Sequence, residues 1–507
     1  MRNGDLKQSE CQALDPLSKV RSMVSTDIFS NSSSTQGAPD VVHDLVGRPY
    51  HVTGIVGYGG QGTAYREASG DYIVKIVTVR DPAKRHELMR RYKFLLAQRQ
   101  VIEDGARLVL PEAILAAPHT GYVMRRVKGH QPLTSLIMPP IAGDLSFDDW
   151  YNRETGGLRR RLLLAGLISR CFYHLHGSNL SYCDLSDKNL LVAKDPSMAS
   201  VCLIDPDNLS APAAAEALVL GTPLYMAPEL LNDSRQPDIL TDSYSLAVLL
   251  FQLLRLGHPM IGDSVLDGPP ELEEKALRGE LPFVDHPEDA SNRRTRLLPA
   301  EETCTSALAV LFQRAFVDGV HSRSHRPSPG AWEEAALIAA GNTLVCERCS
   351  ASFFPHKNEQ NPSLCKCPWC QNLVPFPPVV SFFDAARDGG RSVTRKISTL
   401  VVPTSGSCAV SARHALRGAI AEEGDEAVAL LHTVDLAGRA VLRNQSTTSV
   451  FMWRPGGGTI TVLVPGSSAP LEPDLVACFS DPRTAGNAAV RCMRLQVPQP
   501  AVTVTER

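Results

Sequence analysis

The 507-residue chain has little net charge and no long apolar run. Its 51 lysines and arginines nearly balance its 54 aspartates and glutamates, which leaves a net charge of −3. This balance argues against a nucleic-acid-binding protein with a dominant basic surface. No apolar run approaches the roughly 18 residues that a membrane helix needs, so we expect no membrane association. The first 20 residues lack the apolar core of a secretory signal, and we expect a cytoplasmic protein.

The chain also lacks the evenly spread cysteines of a disulfide-bonded protein. Five of its 13 cysteines fall within residues 346–370, which suits a reducing compartment and one metal site. Two C-x2-C pairs with seventeen residues between them have the spacing of a zinc ribbon: Cys346, Cys349, Cys367 and Cys370. Zinc prefers four thiolates in a tetrahedron, so we predict a structural Zn²⁺ with all positions filled. Cys365 and His356 are interpreted as non-ligands.

The length suits about three domains, and a 43% hydrophobic content allows packed cores. Short β-rich runs at residues 50–79 precede a helix that Pro82 can open, and helical spacing recurs from Leu158 to Leu175. We divide the chain into a flexible Ser-rich tail at 1–45, a main domain at 46–340, a zinc ribbon at 341–375, a linker at 376–395 and a β-rich domain at 396–500.

Five short motifs in the main domain follow one another in a fixed order. They are a glycine-rich loop at 57–62, Tyr-Ile-Val-Lys at 72–75, Tyr-Cys-Asp-Leu-Ser-Asp-Lys-Asn at 182–189, Ile-Asp-Pro-Asp at 204–207 and Ala-Pro-Glu at 227–229. Together they resemble the catalytic core of a eukaryotic-type Ser/Thr protein kinase. The resemblance implies an α+β, bilobal protein-kinase-like fold over about residues 50–340. The zinc ribbon and a β-sandwich-like domain would follow it.

The resemblance assigns residues to ATP. Lys75 would pair with the α- and β-phosphates, and Glu87 on the next helix is the candidate partner of Lys75. Glu87 follows the lysine closely, so the alternative is a different partner. Met124 would be the gatekeeper and Val127 would end the hinge that meets adenine, the alternative being an ordinary strand and turn. Backbone amides would fold over the phosphates at four glycines, which are Gly57, Gly59, Gly60 and Gly62.

The resemblance also assigns the catalytic groups. Asp184 would orient the substrate hydroxyl and accept its proton. Asn189 and Asp205 would bind Mg²⁺ or Mn²⁺ through hard oxygen atoms. Ser186 stands where a lysine usually meets the γ-phosphate, and Lys188 is predicted to supply that charge instead.

Three features downstream of the motifs fit the same family. The segment 221–229 resembles the substrate-docking segment of Ser/Thr kinases. Asp242 would brace the catalytic loop, and Arg326 would pair with Glu229. We expect Arg326→Ala to destabilise the large lobe, because breaking a buried ion pair from one side costs about 3–5 kcal/mol.

Besides Ser186, the chain departs from the family at three positions. Cys183 replaces the arginine that receives an activation-loop phosphate, and Ser210 is the only hydroxyl between residues 207 and 221. We therefore hypothesise that activity does not need activation-loop phosphorylation. Pro206 and Asp207 replace the phenylalanine and glycine of D-F-G. Proline fixes φ near −65°, so a constitutively placed Asp205 is predicted.

Two other function classes stay open. Asp205 and Asp207 in a D-x-D pattern also resemble aminoglycoside and choline kinases, which act on small molecules. The second alternative is a pseudokinase that only binds nucleotide or a partner. The docking segment argues against the first, and the complete set of phosphate and metal contacts argues against the second.

The last domain has a faint resemblance to forkhead-associated domains, which bind phosphothreonine. Ser411, Arg413 and His414 carry that resemblance, but a β-sandwich for protein contacts is the preferred interpretation. The whole arrangement resembles bacterial stress-response kinases found beside a metal-dependent phosphatase and a von Willebrand A-type protein. It implies protein substrates, and those two proteins as partners.

Overall fold

The protein is described here from a computed structural model. It describes residues 39–59, 62–102, 104–140, 145–211, 221–232, 235–388, 391–403, 406–416, 425–433, 440–457, 459–484 and 489–496. The first 38 residues of the predicted Ser-rich tail, and Gly60 of the glycine-rich loop, lie outside these ranges.

The N-terminal lobe is one antiparallel sheet of six strands in the order β1-β2-β3-β4-β6-β5. The strands are β1 Val41–His43, β2 Pro49–Gly59, β3 Gly62–Glu67, β4 Tyr72–Ile76, β5 Pro111–Ile114 and β6 Gly121–Arg125. Helix α1, Pro82–Gln98, follows β4, and the Asp81 carboxylate caps it by accepting from the Ala83 amide. Proline suits the first turn of a helix because its missing N–H would have no partner there.

The second lobe is mainly helical and contains most of the largest apolar cluster. Its helices are α2 Thr134–Ile137, α3 Phe147–Asp149, α4 Gly157–Gly177, α5 Pro228–Asn232, α6 Ile239–Arg255, α7 Asp263–Leu266, α8 Pro270–Leu277, α9 Ala300–Thr303, α10 Ser306–Gln313, α11 Gly319–His321 and α12 Pro329–Gly341. π-helical turns cover Trp150–Glu154 and Arg314–Asp318, and 3₁₀ turns cover Asp104–Ala106, Pro206–Asn208, Pro223–Tyr225 and Arg323–His325. Helix α6 is buried nearly all round, as its apolar sequence predicts.

A small sheet carries the site-bearing loops of this lobe. Its strands, in the order β7-β8-β9, are β7 His130–Pro132, β8 Leu190–Ala193 and β9 Val201–Leu203. The loop before β8 holds Asp184 and Asn189, and the turn after β9 holds Asp205. None of the helices that the structure describes has the length and apolar character of a membrane span.

Two short hairpins follow α12. They are formed by β10 Leu344–Val345 with β11 Ser352–Phe353, and by β12 Leu364–Lys366 with β13 Leu373–Pro375. One small apolar cluster joins the hairpins.

The C-terminal region contains two antiparallel sheets over one apolar cluster. The six-stranded sheet has the order β15-β14-β23-β22-β19-β20, and the four-stranded sheet has the order β16-β17-β18-β21. The strands are β14 Val379–Asp388, β15 Arg391–Val401, β16 Ser407–Ser411, β17 Ala427–Thr433, β18 Ala440–Asn444, β19 Val450–Trp453, β20 Ile460–Leu463, β21 Ser468–Leu471, β22 Val476–Cys478 and β23 Val490–Gln496. A short helix, α13 Ala412–Ala415, follows β16.

The predicted linker at 376–395 is wrong in its extent. Most of it is β14 and the start of β15, which pair with each other, and β14 also pairs with β23. Val380 and Phe382 share one face of β14 and are fully buried, and Ser381 between them is also buried, so β14 is a core strand. The prolines at 375–378 end the hairpin region but do not extend into a flexible linker.

Candidate active site

Asp242 anchors the loop that carries Asp184. The Asp242 carboxylate accepts hydrogen bonds from the backbone amides of Tyr182 at 2.7 Å and Cys183 at 2.9 Å. His176 lies 3.2 Å from the same carboxylate. The Asp242 carboxylate is buried, and hydrogen bonds to a charged acceptor are stronger than neutral ones. The predicted bracing role of Asp242 is confirmed by this geometry.

Asp184 is half-buried at the centre of a polar network. Its carboxylate accepts from the Thr222 hydroxyl at 2.9 Å and from the Asn208 amide at 3.4 Å. Burial raises the pKa of Asp184, and the hydrogen bond from Thr222 opposes that shift. A fixed carboxylate beside the docking segment is placed to orient a hydroxyl group and take its proton.

Lys75 meets two carboxylates of the Asp205-Pro206-Asp207 turn. Its Nζ lies 2.6 Å from Asp205 Oδ1 and 2.8 Å from Asp207 Oδ2. Burial would lower the pKa of Lys75, but the two carboxylates outweigh it and the pKa is raised. The lysine is therefore held in its charged form, which suits a contact with phosphate.

The prediction that Glu87 on helix α1 is the partner of Lys75 is wrong. Glu87 is exposed, and the residue of α1 that reaches the site is Arg91, one turn later. Arg91 is buried, and its Nε donates to the backbone carbonyl of Asp207 at 2.8 Å. Because α1 begins only six residues after β4, Glu87 falls in the helix turn before the one that faces the site.

The nucleotide-side residues lie on the strands that flank Lys75. Gly57 and Gly59 lie at the end of β2 and Gly62 begins β3, with residues 60–61 outside the described ranges. Gly62 has φ 127°, and a Cβ there would lie 2.6 Å from the Ile76 carbonyl oxygen, so a side chain would not fit. Met124 lies near the end of β6 and is half-buried, as is Val127 in the connection between the lobes.

The two predicted metal ligands flank Asp184. The Asn189 side-chain nitrogen donates to the Asp184 carbonyl at 2.9 Å, which leaves the Asn189 amide oxygen available to a cation. Asp205 has a side chain one-third exposed, with φ 59°. Asp184, Asp205 and Asp207 thus bring three carboxylates to one site, and oxygen-rich sites of this kind suit Mg²⁺. Lys188 is exposed on the same loop, and its predicted contact with the γ-phosphate stays a prediction.

The pairing of Arg326 with Glu229 is confirmed. Two guanidinium nitrogens of Arg326 each lie 2.8 Å from a Glu229 carboxylate oxygen. Arg326 also donates to the carbonyls of Gly319 and Leu240, both at 2.9 Å. This bidentate pair fixes the C-terminal end of the docking segment to the large lobe.

The four cysteines of the predicted ribbon lie together at the tips of the two hairpins. Their sulfur atoms all fall within 4.8 Å of one another, and the pairs Cys346–Cys370 and Cys349–Cys367 are 3.6 and 3.7 Å apart. A tetrahedron with Zn–S bonds of about 2.3 Å has sulfur atoms about 3.8 Å apart, so the cluster fits zinc closely. Cys365 and His356 lie outside this cluster, and their interpretation as non-ligands stays a prediction.

The hairpin region and the C-terminal region both contact the kinase-like lobe. Trp369, beside Cys370, stacks on Tyr151 with ring centres 4.9 Å apart and planes at 23°. Arg413 is buried and bonds Glu333 of α12 at 2.9 Å. The hydroxyl of Ser411 pairs with His414 Nδ1 at 2.8 Å. The residues behind the forkhead-associated resemblance thus form bonds within the protein, and Arg413 and His414 are buried.

Sequence reasoning missed several residues that shape this site. Tyr122 donates to Asp207 Oδ1 at 2.8 Å, and Arg91 and Asn208 contact the same turn or Asp184. Tyr122 and Arg91 come from parts of the chain that are distant from this turn, whereas Asn208 directly follows the Ile-Asp-Pro-Asp motif at 204–207. Thr222 lies in the segment 221–229 that resembles the substrate-docking segment, and that resemblance is the sequence signal that could have identified it.

Comparison with known proteins identifies the class of domain that carries these residues. The family model for the protein kinase domain matches residues 135–288, which include Asp184, Asn189 and Asp205. The chain therefore contains a protein kinase domain, with mixed helix and strand content.

Similar proteins include serine/threonine-protein kinases, some of them bacterial. The chain is 27% identical over 221 residues to Serine/threonine-protein kinase fused of Drosophila melanogaster, covering 43% of this chain and 25% of that protein. It is 26% identical over 229 residues to the DNA damage-responsive serine/threonine-protein kinase RqkA of Deinococcus radiodurans, covering 43% and 31%. It is also 26% identical over 229 residues to Serine/threonine-protein kinase PknB of Mycolicibacterium smegmatis, covering 42% and 34%.

The matched regions span a fifth to a half of the length of these and similar relatives. The domain match and the names of the relatives support a protein Ser/Thr kinase.

Proposed function

We propose that this protein transfers the γ-phosphate of ATP to serine or threonine hydroxyls of protein substrates. The observation that carries the proposal is the hydrogen bond from Thr222 to Asp184 at 2.9 Å. It ties the substrate-docking segment directly to the candidate catalytic carboxylate. A bound acceptor hydroxyl would thus meet a base whose orientation is already set.

The other residues of the site have separate proposed roles in binding phosphate and metal. Lys75 and the backbone amides of the glycine-rich loop would hold the phosphates. Asn189 and Asp205 would hold Mg²⁺, or Mn²⁺, which neutralises charge on the phosphates when bound. Asp184 would orient the acceptor hydroxyl and accept its proton. Lys188 would stabilise charge near the γ-phosphate.

Two competing functions make different use of this geometry. A small-molecule phosphotransferase of the aminoglycoside or choline type would need no peptide-docking segment, whereas residues 221–229 are tied to the lobe by Glu229 and Arg326. A nucleotide-binding pseudokinase would need no Asp184 network. The geometry supports the protein kinase best.

The accessory regions have their own proposed roles. The four-cysteine cluster would bind a structural Zn²⁺, because all four tetrahedral positions are cysteine sulfurs. The C-terminal sheets would form a β-sandwich for protein contacts. A cytoplasmic role in bacterial signalling or stress response, beside a metal-dependent phosphatase and a von Willebrand A-type protein, is the proposed context.

An acceptor competition separates these functions. Purified protein is incubated with radiolabelled ATP and Mg²⁺ and offered a generic protein acceptor, kanamycin or choline. Label on serine or threonine of protein supports the proposal. Label on kanamycin or choline would establish the small-molecule function, and nucleotide binding without any transfer would establish the pseudokinase.

A further inference from the structure

Asp207 is the most deeply buried of the three carboxylates at residues 184, 205 and 207. Its side chain is 5% exposed, and its two oxygens are both engaged, Oδ2 by Lys75 at 2.8 Å and Oδ1 by the Tyr122 hydroxyl at 2.8 Å. Tyr122 stands directly opposite Lys75 in the pairing of β4 with β6. Because opposite residues in a sheet share one face, the lysine and the tyrosine meet Asp207 together.

Helix α1 does not supply a carboxylate to this lysine. Its buried residue at the site is Arg91, a cation that donates to the Asp207 backbone, while Glu87 is exposed. A second cation near Lys75 increases the need for buried negative charge, because unpaired charge is costly in a buried site. Asp207 meets that need from the turn after β9.

Asp205 and Asp207 are arranged for different tasks. Asp205 is 33% exposed, whereas Asp207 is 5% exposed. The more open carboxylate can rotate towards a metal, and the closed one can keep its contact with the lysine. Pro206 between them restricts the backbone, so the two carboxylates stay in one rigid turn.

We propose that Asp207 is the positioning residue that holds Lys75 in line when Asp205 is bound to Mg²⁺. The proposal rests on the proposed function, since it assigns Lys75 and Asp205 to ATP and metal. It implies that Lys75 is aligned by the turn and not by a movement of helix α1. Glu87 then has no part in the alignment.

Asp207→Asn tests this directly, because asparagine keeps the shape and can still accept from Tyr122. Lys75 would then rely on Asp205 alone and compete with Mg²⁺ for it. We expect kcat per titrated nucleotide site to fall about a hundredfold. We also expect the Mg²⁺ concentration for half-maximal ATP binding to rise about tenfold. Glu87→Gln is the matched control and should change neither quantity.

The Mg²⁺ dependence separates positioning from mere stability. A purely structural role for Asp207 would reduce the number of folded sites but leave the Mg²⁺ midpoint of those sites unchanged, which would overturn the proposal. So would a loss of activity in Glu87→Gln as large as in Asp207→Asn.

A second variant and a binding measurement cover the cases in which Asp207→Asn does not fold or the wild type is inactive. If Asp207→Asn does not fold, Tyr122→Phe removes one anchor of Asp207 and should shift the Mg²⁺ midpoint in the same direction by a smaller factor; an unchanged midpoint would contradict the proposal. If wild-type protein transfers no phosphate, the proposed function is wrong, yet equilibrium ATP binding at varied Mg²⁺ still decides the role of Asp207.

Discussion

The salt bridge between Arg326 and Glu229 allows a quantitative prediction about the large lobe. The Arg326 side chain is fully buried, and its guanidinium makes two bonds to Glu229 and two to backbone carbonyls. Arg326→Ala leaves these acceptors without their donor. Breaking a buried ion pair from one side costs about 3–5 kcal/mol, and we expect the lower end because Arg323 also lies 2.9 Å from Glu229.

Thermal unfolding followed by circular dichroism measures this cost. For a large domain, about 3 kcal/mol corresponds to a fall in Tm of about 6–12 °C. Arg323→Ala is the matched control, because Arg323 contacts the same carboxylate but its side chain is 24% exposed. We expect that control to cost about 1 kcal/mol or less. Equal Tm values for wild type and Arg326→Ala would refute the reasoning.

The same pair makes a prediction about pH. Burial would raise the pKa of Glu229, but hydrogen bonding and charge from Arg326 outweigh it, and the pKa is lowered. A carboxyl group whose pKa is lower in the folded state stabilises the protein above its unfolded pKa of about 4.3. That contribution is lost as pH falls through the folded value, so the Tm gap between wild type and Arg326→Ala should narrow at acid pH.

Two further predictions concern the catalytic loop and the cysteine cluster. Thr222→Val removes the hydroxyl that bonds Asp184 while keeping the side-chain shape, and it should lower kcat about tenfold in a transfer assay. An unchanged kcat would remove Thr222 from the site. Chelation of zinc should release Trp369 from Tyr151 and lower the Tm of the full chain, with about one zinc per chain lost by elemental analysis. Trp369→Ala should retain zinc and lower the Tm by less than chelation does, and a chelator without effect on Tm would contradict a structural zinc.

Much of the site follows from residues that are close in sequence. Asp184 and Asn189 share one loop, so their spacing alone predicts that they meet. Asp242 and Arg326 are distant from their partners, and the family resemblance predicted them. The four cysteines come from two short loops whose spacing is specific for metal.

The partner of Lys75 could not be predicted in this way. Asp205 and Asp207 lie 130 or more residues from the lysine, and only the packing of the two lobes brings them together. The sequence pattern instead favoured Glu87, because helix α1 follows the lysine directly. The first turns of α1 face outwards, and that orientation depends on the length of the connection from β4.

In the C-terminal region, too, a contact between distant parts of the chain could not be predicted from the sequence. The faint resemblance to forkhead-associated domains would assign Ser411 and Arg413 to a phosphothreonine site, yet the structure buries Arg413 against Glu333. Charged residues are rarely buried unless they are paired, and the pairing partner lies on a helix of the kinase domain. A contact between two domains leaves no periodic signal in either one.

The most direct test of the central claim is phosphate transfer by wild type and Asp184→Asn, measured side by side with radiolabelled ATP and a protein acceptor. Asparagine keeps the shape of the side chain but cannot accept the proton of the acceptor hydroxyl. We predict label on serine or threonine with the wild type, and a loss of about a hundredfold or more in the variant with ATP binding retained. Equal transfer by both proteins would contradict the assignment of Asp184 and with it the proposed mechanism.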